Sequence, residues 1–182
     1  MADIEDIDLI KQFKEGDNKN YAFNLIVRKY QQRLYFHIRR MVTDHDDAND
    51  VLQNMLIKAY KGLNNFREDS QLYTWLYRIA TNESLTFIKK KKKRNQLSLD
   101  DMTTELSQNL SEDHHYDGDE IQKKLHLAIE SLPEKQKAVF NLRYYEEMKY
   151  DEMSEVLETS VGALKASYHH AVKKIEAFLK ED

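Results

Sequence analysis

The sequence predicts an all-α protein of two small helical domains joined by a flexible acidic linker. Three observations carry this. The 182 residues include only four glycines and one proline, which leaves few tight turns for a sheet-rich fold. Apolar residues recur every three or four positions in long blocks, the spacing of a helix face. Between the blocks, from Asn95 to Asp117, the periodicity fades and polarity rises. That stretch of 23 residues reads as a linker between domains at 1–94 and 118–182. Hydrophobic content of 41% is enough for a core.

The elements follow from caps and stripes. A short helix is expected over Ile4 to Phe13, stopping near Gly16. A longer one runs from about Tyr21 to Met41, with Phe23, Ile26, Val27, Tyr30, Leu34 and Ile38 on its stripe. "TDHDD" then supplies an N-cap and first-turn acids for a helix over about Asp46 to Leu63. Its buried set is Val51, Leu52, Met55, Leu56, Ala59 and Tyr60. Ser70 is the expected N-cap of the next helix, Gln71 to about Lys92, with Leu72, Trp75, Leu76, Ile79 and Ala80 inward. Past the linker, a helix begins near Glu120 with Ile121, Leu125, Ala128 and Leu132 on one face. Pro133 suits the first position of a helix reaching about Tyr145. Two more follow, Tyr150 to Leu157 and Val161 to Leu179, the second capped by Ser160. No strand and no fixed-period repeat is expected.

Charge is distributed unevenly. The net charge is −4, yet residues 89–94 are all basic, and residues 99–120 hold eight acids and no Lys or Arg. Such blocks point to local surfaces with different partners. There is no cysteine, so disulfides and thiolate metal sites are excluded. The acidic N-terminus lacks the features of a signal peptide, and no apolar run approaches the roughly 18–20 residues of a membrane span. The expectation is a cytoplasmic protein without membrane insertion. His114 and His115 fit no standard metal-ligand spacing, and no glycine-rich phosphate loop occurs. No metal, cofactor or catalytic residue is therefore expected. His37, in "YFHIRR", reads as a surface or capping histidine.

Two constellations carry function. The last two helices have the layout of a helix-turn-helix: eight residues, a three-residue break, then a longer helix from a Ser cap. The first turn of the second helix offers Ser160, Gly162 and Ala163, which permit close approach to DNA. Lys165, Ser167, His169, His170 and Lys173 follow and can meet phosphates or bases. At the turn position where such motifs favour glycine stands Glu158, at a cost on the order of 1 kcal/mol if left-handed. The other constellation is "FREDSQLYTWLYRIATN". Tyr73, Trp75 and Tyr77 cannot all face one core, so at least one is expected at the surface. Exposed aromatics beside cations form a stacking platform for unpaired bases, worth roughly 1–3 kcal/mol per base. Spacing alone leaves Trp75 open as a core anchor or as part of that platform.

The order of "DDANDVLQNMLIKAYKGLNNFREDSQLYTWLYRIATN", a polar linker and "SLPEKQKAVFNLRYYEEMKYDEMSEVLETSVGALKASYHHAVKKI" resembles a bacterial RNA polymerase sigma factor. The likeness is to the sigma-70 family, in its extracytoplasmic-function (ECF) branch, and spans about Asp8 to Leu179. It implies a subunit that binds core RNA polymerase and directs initiation at promoters, and that is no enzyme by itself. Asp50, Gln53, Asn54, Ile57 and Lys58 would dock on core polymerase. Phe66, Arg67, Asp69, Ser70, Gln71, Tyr73, Trp75, Arg78, Asn82 and Lys89 would capture and read the single-stranded −10 element. The helix-turn-helix residues above would read the duplex −35 element. Proteins of this branch are often held by an anti-sigma factor, though nothing in the sequence identifies one here, and the free chain is expected to be a monomer. Ser167, His170, Glu147 and Glu158 depart from the family's usual arginines and glycines. The alternative is a helix-turn-helix regulator that binds duplex DNA without polymerase. It leaves the docking segment and the Trp75 region unexplained.

Overall fold

A computed structural model describes residues 4–95 and 120–180. Among these the chain is helical throughout apart from turns. Helices α1 (Asp6–Glu15), α2 (Lys19–Val42), α3 (His45–Leu63) and α4 (Leu72–Asn95) form an N-terminal lobe. Helices α5 (Glu120–Glu130), α6 (Glu134–Tyr144), α7 (Tyr150–Leu157) and α8 (Val161–Lys180) form a C-terminal lobe. The expected linker, apart from Asn95, and the histidines at 114 and 115 lie outside the described residues. No helix among the described residues is long and apolar enough to cross a membrane.

Local chemistry sets most boundaries. The Asn18 side chain accepts the Tyr21 N–H at 3.0 Å and starts α2. Asp44 accepts the Asp47 N–H at 2.9 Å and starts α3, where Asp46 and Asp47 suit the positive end of the helix dipole. Ser160 accepts the Ala163 N–H at 3.3 Å, as its sequence position promised. Two expectations shift by one residue. Gln71 rather than Ser70 supplies the first carbonyl of α4, accepting from Trp75 N–H at 3.1 Å. Pro133 stands at the N-cap of α6, outside the first turn, and its carbonyl takes the Lys137 N–H at 2.9 Å.

Four described non-glycine residues have positive φ: Thr43, Glu68, Glu147 and Glu158. Glu158 lies in the α7–α8 turn at φ 50° and ψ 43°, the left-handed conformation expected there. Glu147 has φ 52° in the loop before α7. A Cβ at such a position costs on the order of 1 kcal/mol relative to glycine.

The core runs across both lobes. Leu9, Phe13, Ile26, Leu34, Ile38, Met55, Leu72, Leu76 and Tyr77 are continuous with Ala138, Val139, Leu142, Met148, Met153, Val156 and Leu164. A second cluster inside the C-terminal lobe joins Ala128, Ile129, Leu132, Phe140, Ala171 and Ile175. Helix α4 is the shared wall, lying against α2 and α3 on one side and α7 on the other. This explains why Thr74, Thr81 and Ser84 are buried beside Leu72, Leu76 and Ala80. Two of the residues expected inward on α3 and α5, Tyr60 and Ile121, are instead exposed.

His37 is not at the surface. It is fully buried, its Nε2 2.8 Å from Thr81 Oγ1 and its ring 5.1 Å from that of Tyr77. Burial, with Arg40 nearby, pulls its pKa from 6.5 down to about 3. The unfolded chain takes up this proton below about pH 6.5, whereas the folded chain holds His37 neutral to about pH 3. Stability is therefore lost as pH falls through that window, by about 1.4 kcal/mol per unit. His37→Gln keeps a hydrogen-bonding partner for Thr81 but does not titrate. Urea midpoints followed from neutral pH to roughly pH 5 should fall more steeply for the wild-type chain than for this variant, by an amount near 2 kcal/mol. Equal slopes would place His37 in contact with water. Separately, Glu147→Gly should raise the melting temperature by about 2–4 °C by relieving the left-handed backbone. A lowered value would mean the Glu147 side chain contributes more than its strain removes.

Candidate nucleic-acid and polymerase interface

Three surfaces hold the residues singled out by sequence. The first is a stripe on α3. Asp50, Gln53, Asn54, Ile57 and Lys58 recur every three or four residues opposite the buried face of Val51, Met55 and Ala59, and all five are exposed. Ile57 is 53% exposed, an apolar side chain ringed by polar ones. That composition suits a protein partner, which gains by covering an apolar centre within a polar rim. Lys58 is held against Glu83 of α4.

The second surface is the loop before α4 and the face of α4 itself. Arg67, Asp69, Gln71, Arg78, Asn82 and Lys89 are exposed, and Ser70 is half-buried. The aromatic residues behave otherwise. Phe66 is buried, its ring 5.0 Å from that of Trp75. Trp75 is half-buried and lies over Gly62, where an added Cβ would come within 3.1 Å of the indole ring. In this arrangement Phe66 and Trp75 pin the end of α3 to the start of α4. The expected exposed aromatic is absent as well: Tyr77 is buried, and Tyr73 is half-buried. Tyr77 donates its hydroxyl to Glu146 of the C-terminal lobe. Burial and the Glu152 carboxylate push the Tyr73 hydroxyl up to about 12. Both rings are therefore covered by α7 and the loop before it.

The basic run ends α4 as an ordered helix. Lys91 pairs with Asp47 at the start of α3 at 3.0 Å, and Lys92 pairs with Glu134 at the start of α6. The Lys92 contact holds the Glu134 carboxyl below its usual range. Lys89, Lys90, Lys93 and Arg94 remain exposed.

The third surface is the outer face of α8. Ser160, Gly162, Ala163, Lys165, His169, His170 and Lys173 are exposed, and Ser167 is half-buried. Nothing lies within 4 Å of a Cβ built on Gly162, so the first turn is open to a close approach. Leu164, Ala171 and Ile175 hold the opposite face to the lobe. A stacked set of rings, Phe140 with Tyr144 at 5.1 Å and with Tyr168 at 5.9 Å, fixes α8 against α6. No cluster of His, Cys, Asp or Glu suited to a metal ion occurs among the described residues.

Sequence reasoning missed the seam between the lobes. Glu146 accepts from Arg40 at 3.0 Å and from Tyr77, and lies 3.6 Å from Arg33. Glu130 accepts from Thr43 at 2.7 Å and from Lys137 at 2.8 Å. These partners are up to 106 residues apart, and no periodic pattern pairs them.

Comparisons with known proteins identify the family. Residues 26–94 match the family described as Sigma-70 region 2, and residues 122–175 match Sigma-70, region 4. The chain is 34% identical to the RNA polymerase sigma-H factor of Pseudomonas aeruginosa, over 99% of this chain and 96% of that protein. It is 31% identical to the ECF RNA polymerase sigma-E factor of Haemophilus influenzae, over 95% of this chain and 94% of that protein. Among solved structures, the fold resembles CnrH in complex with the cytosolic domain of CnrY, with a TM-score of 0.70 and 22% identity over 97% of this chain and 98% of that one. It also resembles the sigma factor RpoE of Bartonella quintana, solved with the anti-sigma factor NepR, with a TM-score of 0.66 and 19% identity over 88% of this chain and 98% of that one. The chain belongs to the sigma-70 family of RNA polymerase sigma factors, in its ECF branch.

Proposed function

We propose that this chain is a promoter-specificity subunit that binds core RNA polymerase and directs initiation through two DNA elements. The observation that carries the proposal is the exposed α3 stripe of Asp50, Gln53, Asn54, Ile57 and Lys58. A regulator that binds duplex DNA alone has no use for it. The loop and outer edge of α4 take the single-stranded −10 element, with Arg67, Arg78 and Lys89 on phosphates and Asn82 on a base edge. The first turns of α8 take the −35 duplex in the major groove. Histidine at 170 cannot make the two-pronged contact that arginine makes to guanine, so its role in that groove is a single hydrogen bond or a phosphate contact. The −10 and −35 readers are domains 1–94 and 118–182. The intervening linker has a root-mean-square span of roughly 25 Å and a stretched reach near ~75 Å, enough to let both engage one promoter. Joined readers gain affinity by effective concentration.

The chemistry of RNA synthesis resides in core polymerase, so the chain itself needs no catalytic group. Its place of action is the cytoplasm, where polymerase and promoter DNA meet. An anti-sigma factor is a further partner, by likeness to the complexes of the solved relatives.

With core polymerase, the chain should open a cognate promoter, seen as permanganate-reactive thymines in the −10 element. Duplex binding without melting would favour the regulator reading. Asp50→Arg should weaken co-elution with core polymerase at least tenfold while the circular dichroism spectrum is unchanged. Undiminished co-elution would remove α3 from the docking surface. Asn82→Ala, tested in the assembled holoenzyme, should reduce discrimination at the −10 element by about ten- to a hundredfold without affecting core binding. Unaltered discrimination would take Asn82 away from the bases.

A further inference from the structure

A cavity of about 530 Å³ lies between the C-terminal half of α2 and helices α5 and α6. Its lining shares no residue with the stripe on α3, the face of α4 or the outer face of α8, so none of the surfaces described above uses it. Its volume is that of a small-molecule site, and the boundary between two packed units is where such sites concentrate.

Three kinds of group line it. Tyr35 and Phe36 of α2, with Tyr145 just past α6, supply ring surface. Phe36 and Tyr145 are each 38% exposed, so a flat ligand can still cover them. Arg39, Arg40, His45 and His126 supply N–H groups. Arg40 holds Glu146 at 3.0 Å, but a guanidinium carries five N–H donors and one carboxylate does not use them all. Among the described lining residues Glu130 is the one carboxylate, and Lys137 at 2.8 Å and Thr43 at 2.7 Å already donate to it. The wall is thus rich in donors and poor in open acceptors, which suits an anion. The third kind is a buried amide. Asn141 of α6 is wholly covered, and its Oδ1 has no hydrogen-bond partner. Its Nδ2 makes only long contacts, 3.5 Å to Arg40 O and 3.6 Å to Met41 Sδ. A buried amide oxygen in this state is a cost to the fold that a ligand N–H removes.

We propose that this cavity binds a purine mononucleotide, with the base on the aromatic wall, its edge toward Asn141 and its phosphate on the guanidinium and imidazole groups. Each part of that ligand answers one part of the wall. An amide pairs one donor face with one acceptor, the complement of a purine edge. An inorganic ion would leave Phe36 and Tyr145 uncovered and Asn141 without a donor. An uncharged ring would leave the guanidinium donors facing an apolar group. The wall is also held in place before any ligand arrives: Tyr35 Oη lies 2.6 Å from His45 Nδ1, and His45 Nε2 lies 3.1 Å from Asn49 Nδ2. Side chains fixed in this way lose little freedom on binding. A ligand held by α2, α5 and α6 together binds only the folded chain, so it raises the melting temperature by mass action. The site goes beyond the promoter reading and does not depend on it.

The test uses the full chain without DNA or polymerase. AMP, GMP, CMP, adenosine and inorganic phosphate are titrated separately by isothermal calorimetry, with the melting temperature followed alongside. The expected result is saturable one-to-one binding of AMP or GMP, with CMP, adenosine and phosphate each weaker by about tenfold or more. Phe36→Ala and Arg39→Gln should each weaken the purine nucleotide by about tenfold while circular dichroism is unchanged. Tyr21→Ala and Lys11→Gln remove an exposed ring and an exposed cation outside the cavity and should leave its affinity as it is. Absence of saturable binding by either purine nucleotide at millimolar concentration would overturn the proposal. Phosphate binding as tightly as the nucleotide would overturn it too, by reducing the cavity to a general anion contact. Nucleotide binding untouched by Phe36→Ala and Arg39→Gln would place the ligand elsewhere and have the same consequence. If one of those two variants loses helix, the other and the comparison of ligands still decide.

Discussion

The arrangement depends on one nearly buried carboxylate. Glu146 is 8% exposed by its side chain and sits where α6 has ended and α7 has not begun. Removed from water, it is tolerable only with partners that make good the lost hydration. Arg40 and Tyr77 both donate to it, and Arg33 adds a third, more distant charge. These residues belong to α2 and α4, so the loop of the C-terminal lobe is fixed to the spine of the N-terminal one. Arg40 also lies 4.2 Å from the centre of the Tyr145 ring, so one guanidinium binds two successive residues of the loop. Removing one partner leaves the carboxylate buried and under-satisfied, which costs more than an exposed pair of the same geometry.

Around that node the seam is mixed in character. Val139, Leu142, Met148, Met153 and Val156 contribute apolar surface continuous with Leu72 and Leu76. Lys137 and Glu130 pair at 2.8 Å with side chains 7% and 9% exposed, and Thr43 adds a hydrogen bond to the same carboxylate. Burial of this kind stabilises in proportion to area but specifies position weakly. Glu146 and its partners do the specifying, since a displaced lobe would strand that carboxylate.

Much of this was written locally in the sequence. Caps at Asp44 and Ser160, the stripe of α8 and the exposed face of α3 follow from spacing and from single side chains meeting the N–H groups two or three residues on. The left-handed turn at Glu158 was likewise legible, because a helix-turn-helix fixes its backbone whatever residue stands there. The failures share a cause. His37 lies three residues after Leu34, on the buried side of α2, yet a histidine beside two arginines suggests a surface. Tyr77 and Thr81, forty and forty-four residues away, close over it. Tyr73, Trp75 and Tyr77 could not all be accommodated by the core of a single lobe. A second lobe covering the other side of α4 was not written in any local pattern.

The covering lobe also accounts for a charge distribution that looks contradictory in the sequence. A DNA-binding chain with net charge −4 must keep its acids from repelling the phosphates it reads. Here the acids at 134, 146 and 158 are directed at cations of the neighbouring lobe, and the outer face of α8 carries Lys165, Lys173 and the histidines without an acid among its exposed first turns. Neutralising the seam internally leaves the outer face of α8 positive.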